Sequence, residues 1–488
     1  MKTKPALILV ALFLLEAIPA GANPAPDAPP NSTETTWMAL LVGGARAGHV
    51  KSTREVFPAE VHTTEGFYIR INRGAAVTEI QAEDRFVETL DGQPLGFRSS
   101  LKMSGTELTT EGEIRDGRAY ATTFSAGTEM QQEFDWPENA LLAEGHRLLA
   151  QRHGLVPGTR YEVLEFLASE LRFAPASVTV GQTETVDLLG TEQQLIRVVQ
   201  SLQLGSTPTE VISWINPEGQ EKKTRMSMMG TTFEAIACPE ACATADTEPT
   251  TLFSAAIAHS PIRLSQQNRE SAITYTVSAA SPDTPLFFPQ SDEQTVDRAE
   301  NGDYRISVRR LGPGSAGLDE DTRSAHLQPT RWLQAEAPEV IDLARRARGD
   351  ETDPKLAMLR LEKFVQDYVN DKNLSVGYAS ALEVARNRSG DCTEHALLLA
   401  AMGRALGIPT RVATGLAYVN NWLGNQHVFV PHAWTQAYID GRWISFDAAL
   451  GRFGAGHIAL GYGDGEPGSF YDSVHTLGNI SIVQAEAH

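Results

Sequence analysis

Over most of the chain, hydrophobic and polar residues alternate in short runs, a pattern typical of β-strands. Residues 66–71 form one such run, and turn-forming Asp-Gly pairs at 91–92 and 116–117 separate others. The pattern stops at a segment rich in glycine, proline and serine at 312–317. We therefore expect residues 35–312 to form a β-rich region of one or two domains.

Helical spacing replaces strand spacing in the last part of the chain. One predicted helix, which Asp353 can cap, has its apolar positions on a single face. These positions are Leu361, Phe364, Val365 and Tyr368. A second helix begins near Cys392, after a capping turn at 389–391, and ends before Gly407. Because it is apolar on nearly every side, we expect this helix to be buried.

Two strands after that helix form a predicted hairpin. They span residues 432–439 and 442–448 and are joined by Asp-Gly at 440–441, a strong signal for a two-residue turn. Side chains alternate along a strand, so this turn places His432 and Asp447 on the same face. They are diagonal neighbours there, within reach of a hydrogen bond.

The N-terminus has the features of a secretory signal. Lys2 and Lys4 precede an apolar run, and the small residues at 20–22 fit a cleavage site before Asn23. The apolar run is shorter than the roughly 20 residues that a transmembrane helix needs, and no later stretch is long enough. We expect a periplasmic or secreted protein, cleaved near Ala22, with no transmembrane span in the mature chain.

These patterns predict a multidomain chain, which we divide by composition and spacing. The predicted segments are a signal peptide at 1–22, a linker at 23–34, the β-rich region at 35–312, a linker at 313–334 and a mixed α+β domain at 335–488. The β-rich region gathers no set of catalytic residue types, so we interpret it as a scaffold or binding module.

The charge and the cysteines narrow the chemistry. The net charge of −20 repels a phosphate backbone, which argues against nucleic acid as a partner. Of the three cysteines, Cys238 and Cys242 are close enough in sequence to form a disulfide in an oxidising compartment. Their spacing is not the C-x-x-C of redox and zinc motifs, so metal or redox chemistry is the weaker interpretation. Cys392 remains, and an odd cysteine in an exported protein indicates a reactive thiol.

Cys392, His432 and Asp447 together have the residue types of a nucleophilic triad. The partial positive charge of a helix N-terminus favours an ionised thiol at Cys392, and its backbone N–H can stabilise an oxyanion. His432 can act as the base, and Asp447 can fix the orientation of the imidazole. His395, one turn beyond Cys392, is a weaker candidate because a cationic imidazole is disfavoured near a helix N-terminus.

The motifs that carry these residues resemble the transglutaminase-like superfamily. They are the segments 389–392, 407–411, 432–434 and 443–447. The resemblance covers roughly residues 330–480 and implies a papain-like core. It also implies that Cys392 is the nucleophile, His432 the general base and acid, and Asp447 the orienting carboxylate. His457 resembles a position in the usual C-terminal part of the family, and we interpret it as structural or near the cleft.

The chain also departs from the family. Members often continue the aspartate strand as Asp-Pro-Thr, whereas residues 447–450 read Asp-Ala-Ala-Leu. Tyr378 and Gln426 are candidates for a second oxyanion donor. The β-rich region does not match the β-sandwiches of animal transglutaminases, so calcium regulation is not implied. We interpret the acidic stretches 292–303 and 464–466 as solvated loops rather than cation sites, and predict no metal and no cofactor.

The predicted chemistry is acyl transfer from an amide through a thioester at Cys392. Water as the acceptor would make the protein a peptidase or amidase, and an amine would make it a cross-linking transglutaminase. We favour hydrolysis for an exported protein, with proteins or peptides, including those of the cell envelope, as substrates. The alternative is an envelope binding or assembly module that carries a catalytically silent transglutaminase-like domain.

Overall fold

The computed structural model describes residues 29–73, 76–103, 106–125, 127–205, 208–250, 255–281, 286–310, 317–371, 379–466 and 471–488. The predicted signal peptide at 1–22, residues 23–28 of the linker predicted at 23–34 and the candidate oxyanion donor Tyr378 lie outside these residues. The chain divides into two compact units. The first unit comprises Met1–Asn72 and Val77–Thr251, and the second comprises Arg73–Ala76 and Leu252–His488.

The first unit is built on a 15-stranded sheet. Its strands are β1 (Ser32–Val42), β2 (Ala45–Val56), β3 (Glu60–Arg73), β4 (Ala76–Thr89), β5 (Pro94–Met103), β6 (Thr106–Arg115), β7 (Arg118–Ser125), β8 (Thr128–Asp135), β9 (Ala140–Leu141), β10 (Arg160–Leu167), β11 (Arg172–Asp187), β12 (Glu192–Leu202), β13 (Thr209–Ile215), β14 (Glu221–Met228) and β15 (Thr231–Ala237). Two helices accompany them, α1 (Ala143–His153) and α2 (Glu240–Ala243).

Most strands of this sheet pair with their neighbours in sequence, as the short predicted turns require. β1 joins the two halves of the sheet by pairing antiparallel with β15, with Met38 opposite Ala237. Aromatic side chains fill part of the core, where the ring of Phe166 lies 4.7 Å from those of both Phe97 and Trp136. Cys238 and Cys242 are joined as a disulfide at the end of the unit.

The second unit combines helices with two smaller sheets. Its helices are α3 (Gln266–Glu270), α4 (Glu320–Ala325), α5 (Pro338–Arg348), α6 (Pro354–Tyr368), α7 (Ala381–Asn387), α8 (Cys392–Ala405) and α9 (Tyr471–Thr476). A five-stranded sheet contains β16 (Ala258–His259), β20 (Thr410–Trp422), β21 (Asn425–Ile439), β22 (Arg442–Phe446) and β23 (His457–Gly463). A four-stranded sheet contains β17 (Ala272–Ala279), β18 (Gln294–Arg298), β19 (Tyr304–Arg309) and β24 (Ile480–Ala487).

The helix starts and the hairpin of the second unit form where the sequence predicts them. Asp353 caps α6 by accepting a hydrogen bond from the N–H of Leu356, 2.8 Å away. β21 and β22 pair across the turn with Ile439 opposite Arg442. α8 is buried along nearly its whole length, and the hydroxyl of Thr435 on β21 donates to its Ala396 carbonyl at 2.9 Å. The predicted architecture, a β-rich N-terminal region followed by a mixed α+β domain, is confirmed.

The division between the two units differs from the predicted linker at 313–334. β17 pairs with the C-terminal strand β24, with Ile273 opposite Ala487, and β16 pairs with β21. The described residues 255–281 and 286–310 group with the second unit, whereas the sequence pattern groups them with the β-rich region. The sequence predicts strands at β17 and β19, and both form, but a strand pattern does not indicate which sheet a strand joins. None of the described helices combines the length and the apolarity that a bilayer crossing needs.

Candidate active site

Cys392 is the first residue of α8, and a network of hydrogen bonds fixes the start of that helix. The Asp391 carboxylate accepts from the N–H of Thr393 at 3.0 Å, which caps the helix. Glu394 reaches back and accepts from the N–H of Asp391 at 2.8 Å and from that of Ala379 at 2.9 Å. Burial and the nearby Asp391 raise the pKa of Glu394 well above its ordinary value. The thiol of Cys392 is half-buried at this rigid helix start.

His432 and Asp447 lie together on the face that the hairpin register predicts. The imidazole Nε2 of His432 is 2.9 Å from Oδ2 of Asp447, and the two residues are 8% and 1% exposed. The turn residues Asp440 and Gly441 both have positive φ, as a two-residue hairpin turn of this type requires. The register continues regularly to Thr435 opposite Phe446, without a bulge that would rotate Asp447 away.

The same histidine contacts the thiol. The side chain of Cys392 is a hydrogen-bond partner of His432, and because Nε2 is bonded to Asp447, the other ring nitrogen serves the sulfur. Burial alone would lower the pKa of His432, but the charges and hydrogen bonds of Asp447 and Cys392 outweigh it and raise the pKa to about 10. The three residues predicted from the sequence are thus brought together.

Asp447 is held by contacts on both of its oxygens. Oδ2 accepts from His432 and also from Nε2 of His457, each at 2.9 Å. Oδ1 accepts from the N–H groups of Ala449 and Leu450 at 2.9 and 3.0 Å. Burial opposes ionisation, but the two histidines outweigh it and hold the pKa of Asp447 well below its ordinary value. The Asp-Ala-Ala-Leu sequence therefore still supplies backbone donors that fix the carboxylate.

His457 is the site residue whose contact the sequence does not reveal. It lies at the start of β23, which pairs with β20 on the side opposite β21, so that β20 separates the strands of His457 and His432. Its Nδ1 is 3.0 Å from the Gly454 carbonyl, and its ring lies 5.7 Å from that of His432. The resemblance to the family marks the position, but the pairing of β20 with β23 is needed to bring the ring to Asp447.

Two further buried side chains support the triad. Trp434 stacks on His432 with ring centroids 6.2 Å apart and donates its indole N–H to Ser445 at 3.1 Å. Glu362 on α6 accepts from the backbone N–H of Asp447 at 2.6 Å. Burial raises the pKa of Glu362 to about 7, against the effect of that hydrogen bond. The helix pattern predicts the position of α6 but not this contact of Glu362.

Other candidates from the sequence lie elsewhere. His395 is buried and its Nδ1 bonds to the Asp391 carbonyl at 2.5 Å, a local contact at the start of α8. Gln426 is exposed beside the β20–β21 turn, six positions before His432 along the same strand. Gln426 as an oxyanion donor stays a prediction.

The acidic stretch at 292–303 is not a solvated loop throughout. Glu293 is buried and accepts from the backbone N–H of Ser445 at 3.1 Å, while Asp292 accepts from that of Trp443 at 2.8 Å. These carboxylates satisfy N–H groups along β22, and burial raises the pKa of Glu293 to about 8. At 464–466, Glu466 accepts from Arg331 at 2.8 Å, so this residue too is engaged by the protein.

Among the residues that the structure describes, His432, Asp447 and His457 are the set with ligand atoms close enough to hold a metal ion. Those atoms lie within 4.8 Å of one another. They are also joined by two hydrogen bonds to one carboxylate oxygen, an arrangement that orients imidazole rings without an ion. The geometry therefore suits a catalytic triad.

A family model matches part of this unit. Residues 341–448, which include Cys392, His432 and Asp447, match the family model of the transglutaminase-like superfamily. No curated protein sequence matches the chain.

Solved structures also match the chain. One from Cytophaga hutchinsonii, described as a "putative cysteine protease", is 20% identical, covers 45% of this chain and 86% of its own, and has a TM-score of 0.28. A "putative protease" from Parabacteroides distasonis is 11% identical, covers 71% of this chain and 64% of its own, and has a TM-score of 0.19. The match to the family model lies within the second unit, at residues 341–448.

Proposed function

We propose that this protein is an exported, cysteine-dependent acyl-transfer enzyme that acts on amide bonds of proteins or peptides. The observation that carries the proposal is the position of His432, which is a hydrogen-bond partner of the Cys392 thiol and is bonded to Asp447 through Nε2. A thiol that contacts an imidazole, which in turn contacts a carboxylate, is the arrangement of a base-assisted thiol nucleophile. The half-buried position of Cys392 leaves the thiol open to a substrate.

In the first step, the thiolate of Cys392 attacks the amide carbonyl carbon and forms a carbon–sulfur bond. The carbonyl electrons move to oxygen, where the N–H groups at the start of α8 can stabilise the negative charge. His432 then donates its proton to the leaving nitrogen as the carbon–nitrogen bond breaks. The products of this step are a thioester and a free amine.

In the second step, His432 accepts a proton instead of donating one. Acylation removes the thiolate charge, and Cys392 is one of the two residues that raise the pKa of His432. The pKa therefore falls, and the neutral form of the ring becomes more populated. It accepts a proton from water or from an amine, which attacks the thioester carbonyl. The carbon–sulfur bond breaks, and the thiolate of Cys392 is regenerated.

We infer that His457 is a positioning residue for this chemistry. It does not contact the thiol but shares the oxygen of Asp447 that His432 uses. A carboxylate that accepts from two rings and two backbone N–H groups has little freedom to rotate. The fixed carboxylate in turn keeps one nitrogen of His432 directed at Cys392.

We favour water over an amine as the acyl acceptor, which would make the protein a peptidase or amidase. The test is to incubate the mature protein with a glutamine-containing peptide, with and without a primary amine, and to follow the products by mass spectrometry. Cleavage or deamidation is expected from the wild type, and amine incorporation would instead identify a cross-linking enzyme. Cys392→Ala should lose about a thousandfold or more of either activity, while the exposed-site control His259→Gln should retain it.

Equal turnover by the wild type and Cys392→Ala would contradict the proposal. So would alkylation of Cys392 at neutral pH no faster than that of a free model thiol, together with no product of any kind. That second result would favour the binding-module alternative, with a silent transglutaminase-like domain.

Export is the part of the proposal that rests on the N-terminal sequence. A signal peptide cleaved at the predicted site leaves Asn23 as the first residue of the mature chain. Intact-mass measurement of protein recovered from the envelope or the medium of an expressing bacterium should give this N-terminus. Recovery of full-length protein in the cytosolic fraction alone would contradict export.

A further inference from the structure

The first unit contains a cavity that the proposed chemistry does not use. Its volume is about 560 Å³, within the roughly 300–1,000 Å³ range of small-molecule sites in proteins. It lies between α1 and one face of the strands β10–β13. Most of the lining surface is apolar, and its aliphatic side chains include Val163, Val178, Val180, Val198 and Ile215.

The lining follows from side-chain alternation. Val163 and Glu165 are two residues apart on β10, as are Val198 and Gln200 on β12, so each pair projects to the same face of the sheet. Val180 stands opposite Val198 in the register of β11 and β12. One continuous sheet face therefore carries an aliphatic surface with a few polar groups.

The polar groups include two buried atoms without hydrogen-bond partners. Glu165 is 1% exposed, and within the described parts of the chain its Oε2 has no partner, nor does Nε2 of His146 on α1. The other carboxylate oxygen of Glu165 accepts from Gln200 and lies 3.5 Å from Nδ1 of His146. Buried polar atoms are nearly always paired in folded proteins, so two that belong to residues lining one cavity indicate a place for a ligand's polar end.

The charge state of Glu165 and His146 limits the kind of ligand that can bind. Burial raises the pKa of Glu165 to about 8, although the Gln200 hydrogen bond opposes this, and burial lowers the pKa of His146 to about 4. Both groups are therefore mainly neutral at pH 7. The nearby Arg147 is paired with Glu144, which accepts from Nε of Arg147 and from Nε of Arg54, each at 2.8 Å. The two groups with unpaired polar atoms, Glu165 and His146, therefore offer a ligand hydrogen bonds rather than charge.

We propose that this cavity binds a small neutral amphiphile, whose apolar body packs on the valines and whose single polar end hydrogen-bonds to Glu165 and His146. An alcohol fits this description, because a hydroxyl can donate to the unpaired carboxyl oxygen of Glu165 and accept from Nε2–H of His146. The aliphatic lining supplies the hydrophobic contribution to affinity. The two buried polar atoms supply the selectivity for a polar end.

The test uses the full chain and the apolar dye N-phenyl-1-naphthylamine, whose fluorescence rises on entering an apolar site. Wild-type protein should bind the dye, and decan-1-ol should displace it. Val198→Phe fills the cavity and should abolish binding, whereas Val199→Phe, which projects from the other face of the same strand, should not. Binding that is absent in the wild type, or unchanged in Val198→Phe, would overturn the proposal.

Three competitors of similar size test the polar end. Decan-1-ol should displace the dye at a concentration about tenfold lower than 1-methoxynonane, which has no hydroxyl proton, a difference that corresponds to about one hydrogen bond. Decanoic acid, anionic at pH 7, should compete less well than the alcohol. Tighter binding of the acid would overturn the assignment to a neutral ligand.

A second variant keeps the test independent of cavity filling. Glu165→Leu removes the carboxyl group from the cavity wall but keeps an apolar lining, so this variant should still bind the dye. In this variant the alcohol and the ether should displace the dye at the same concentration. A preference for the alcohol that survives the substitution would overturn the role given to Glu165.

Discussion

At the scale of single residues, the charge of His432 is the central quantity of the proposed mechanism. Asp447 and Cys392 raise the pKa of His432 to about 10 despite burial. A ring with a raised pKa keeps its proton below that value and loses it as the pH rises through it. The proton that the leaving amine needs is therefore available at neutral pH.

This leads to a prediction for the pH dependence. Turnover should fall on the alkaline side as the pH passes about 10, because His432 then has no proton to donate. Asp447→Asn removes the carboxylate charge and should move this alkaline limb to lower pH by at least about one unit, with a loss in kcat. The measurement is kcat against pH for both proteins.

An alkaline limb that is unchanged in Asp447→Asn would contradict this account of the His432 pKa. The stability of the folded state should also fall as the pH rises. The stabilisation that the His432 charge contributes is complete below its unfolded pKa of 6.5 and is lost as the pH rises to about 10.

His457 supports a second prediction at this scale. His457→Phe keeps an aromatic ring of similar shape but removes the hydrogen bond to Asp447. Loss of one such bond to a carboxylate, worth about 1.5–3 kcal/mol, corresponds to a roughly 10- to 100-fold loss in kcat. KM should change little, because His457 lies behind the carboxylate and not at the thiol.

The conservative variant separates positioning from packing. His457→Gln retains an N–H donor and should recover part of the kcat that His457→Phe loses. The alkaline limb of the pH profile should also move down in His457→Phe and return partly in His457→Gln. A loss confined to thermal stability, with kcat and the pH profile unchanged, would contradict a positioning role.

At the scale of elements, the start of α8 determines where the thiol lies. Gly390 has φ +152° and packs against Glu394, whose carboxylate binds two backbone N–H groups. A Cβ built on Gly390 would lie 2.2 Å from Cβ of Glu394. No small adjustment of the end of the Glu394 side chain relieves that overlap, because the clash is with its base.

We therefore expect Gly390→Ala to displace Glu394 and the start of α8. The free energy of unfolding should fall by about 2 kcal/mol or more, and thiol alkylation and turnover should fall with it. Gly407→Ala is the matched control, since Gly407 follows the same helix at φ +77° but has open space at its Cβ position. Denaturant unfolding and iodoacetamide kinetics on both variants measure the two effects.

Gly407→Ala should lose about 1–2 kcal/mol from its left-handed backbone conformation alone, with the thiol reactivity retained. Equal reactivity of the two variants would show that contact with Glu394 does not control the nucleophile. At this scale the sequence is a good guide, because caps and hairpin turns are determined by residues within a few positions of one another.

At the scale of the whole molecule, the chain consists of two units, each with its own sheets and core. Phe166 lies in the aromatic cluster of the first unit, and Leu398 lies in α8 of the second, where it is fully buried. Each residue can therefore report on the stability of one unit. The transglutaminase-like segment at 341–448 lies within the second.

We expect differential scanning calorimetry to resolve two transitions. Phe166→Ala should cost about 3–5 kcal/mol and lower the Tm of one transition by roughly 10 °C. Leu398→Ala should lower the other by a similar amount, from a cost of about 2–5 kcal/mol. A single transition that both variants shift equally would mean that the two units unfold as one cooperative structure.

The sequence by itself determined the local features of this protein. These features are the cap at Asp391, the helix from Cys392 and the hairpin that aligns His432 with Asp447. They depend on short-range hydrogen bonds and on side-chain alternation, both of which can be predicted from the sequence. The motif order also predicted the family of residues 341–448. The catalytic roles of the three residues stay predictions.

Tertiary structure alone decided the features that depend on distant segments. The pairing of β17 with β24 sets the division between the units, and that of β20 with β23 brings His457 to Asp447. The burial of Glu293 against β22 and the cavity beside Glu165 arise in the same way. A strand pattern states which side chains share a face but not which strand lies alongside, because that choice depends on burial over the whole chain.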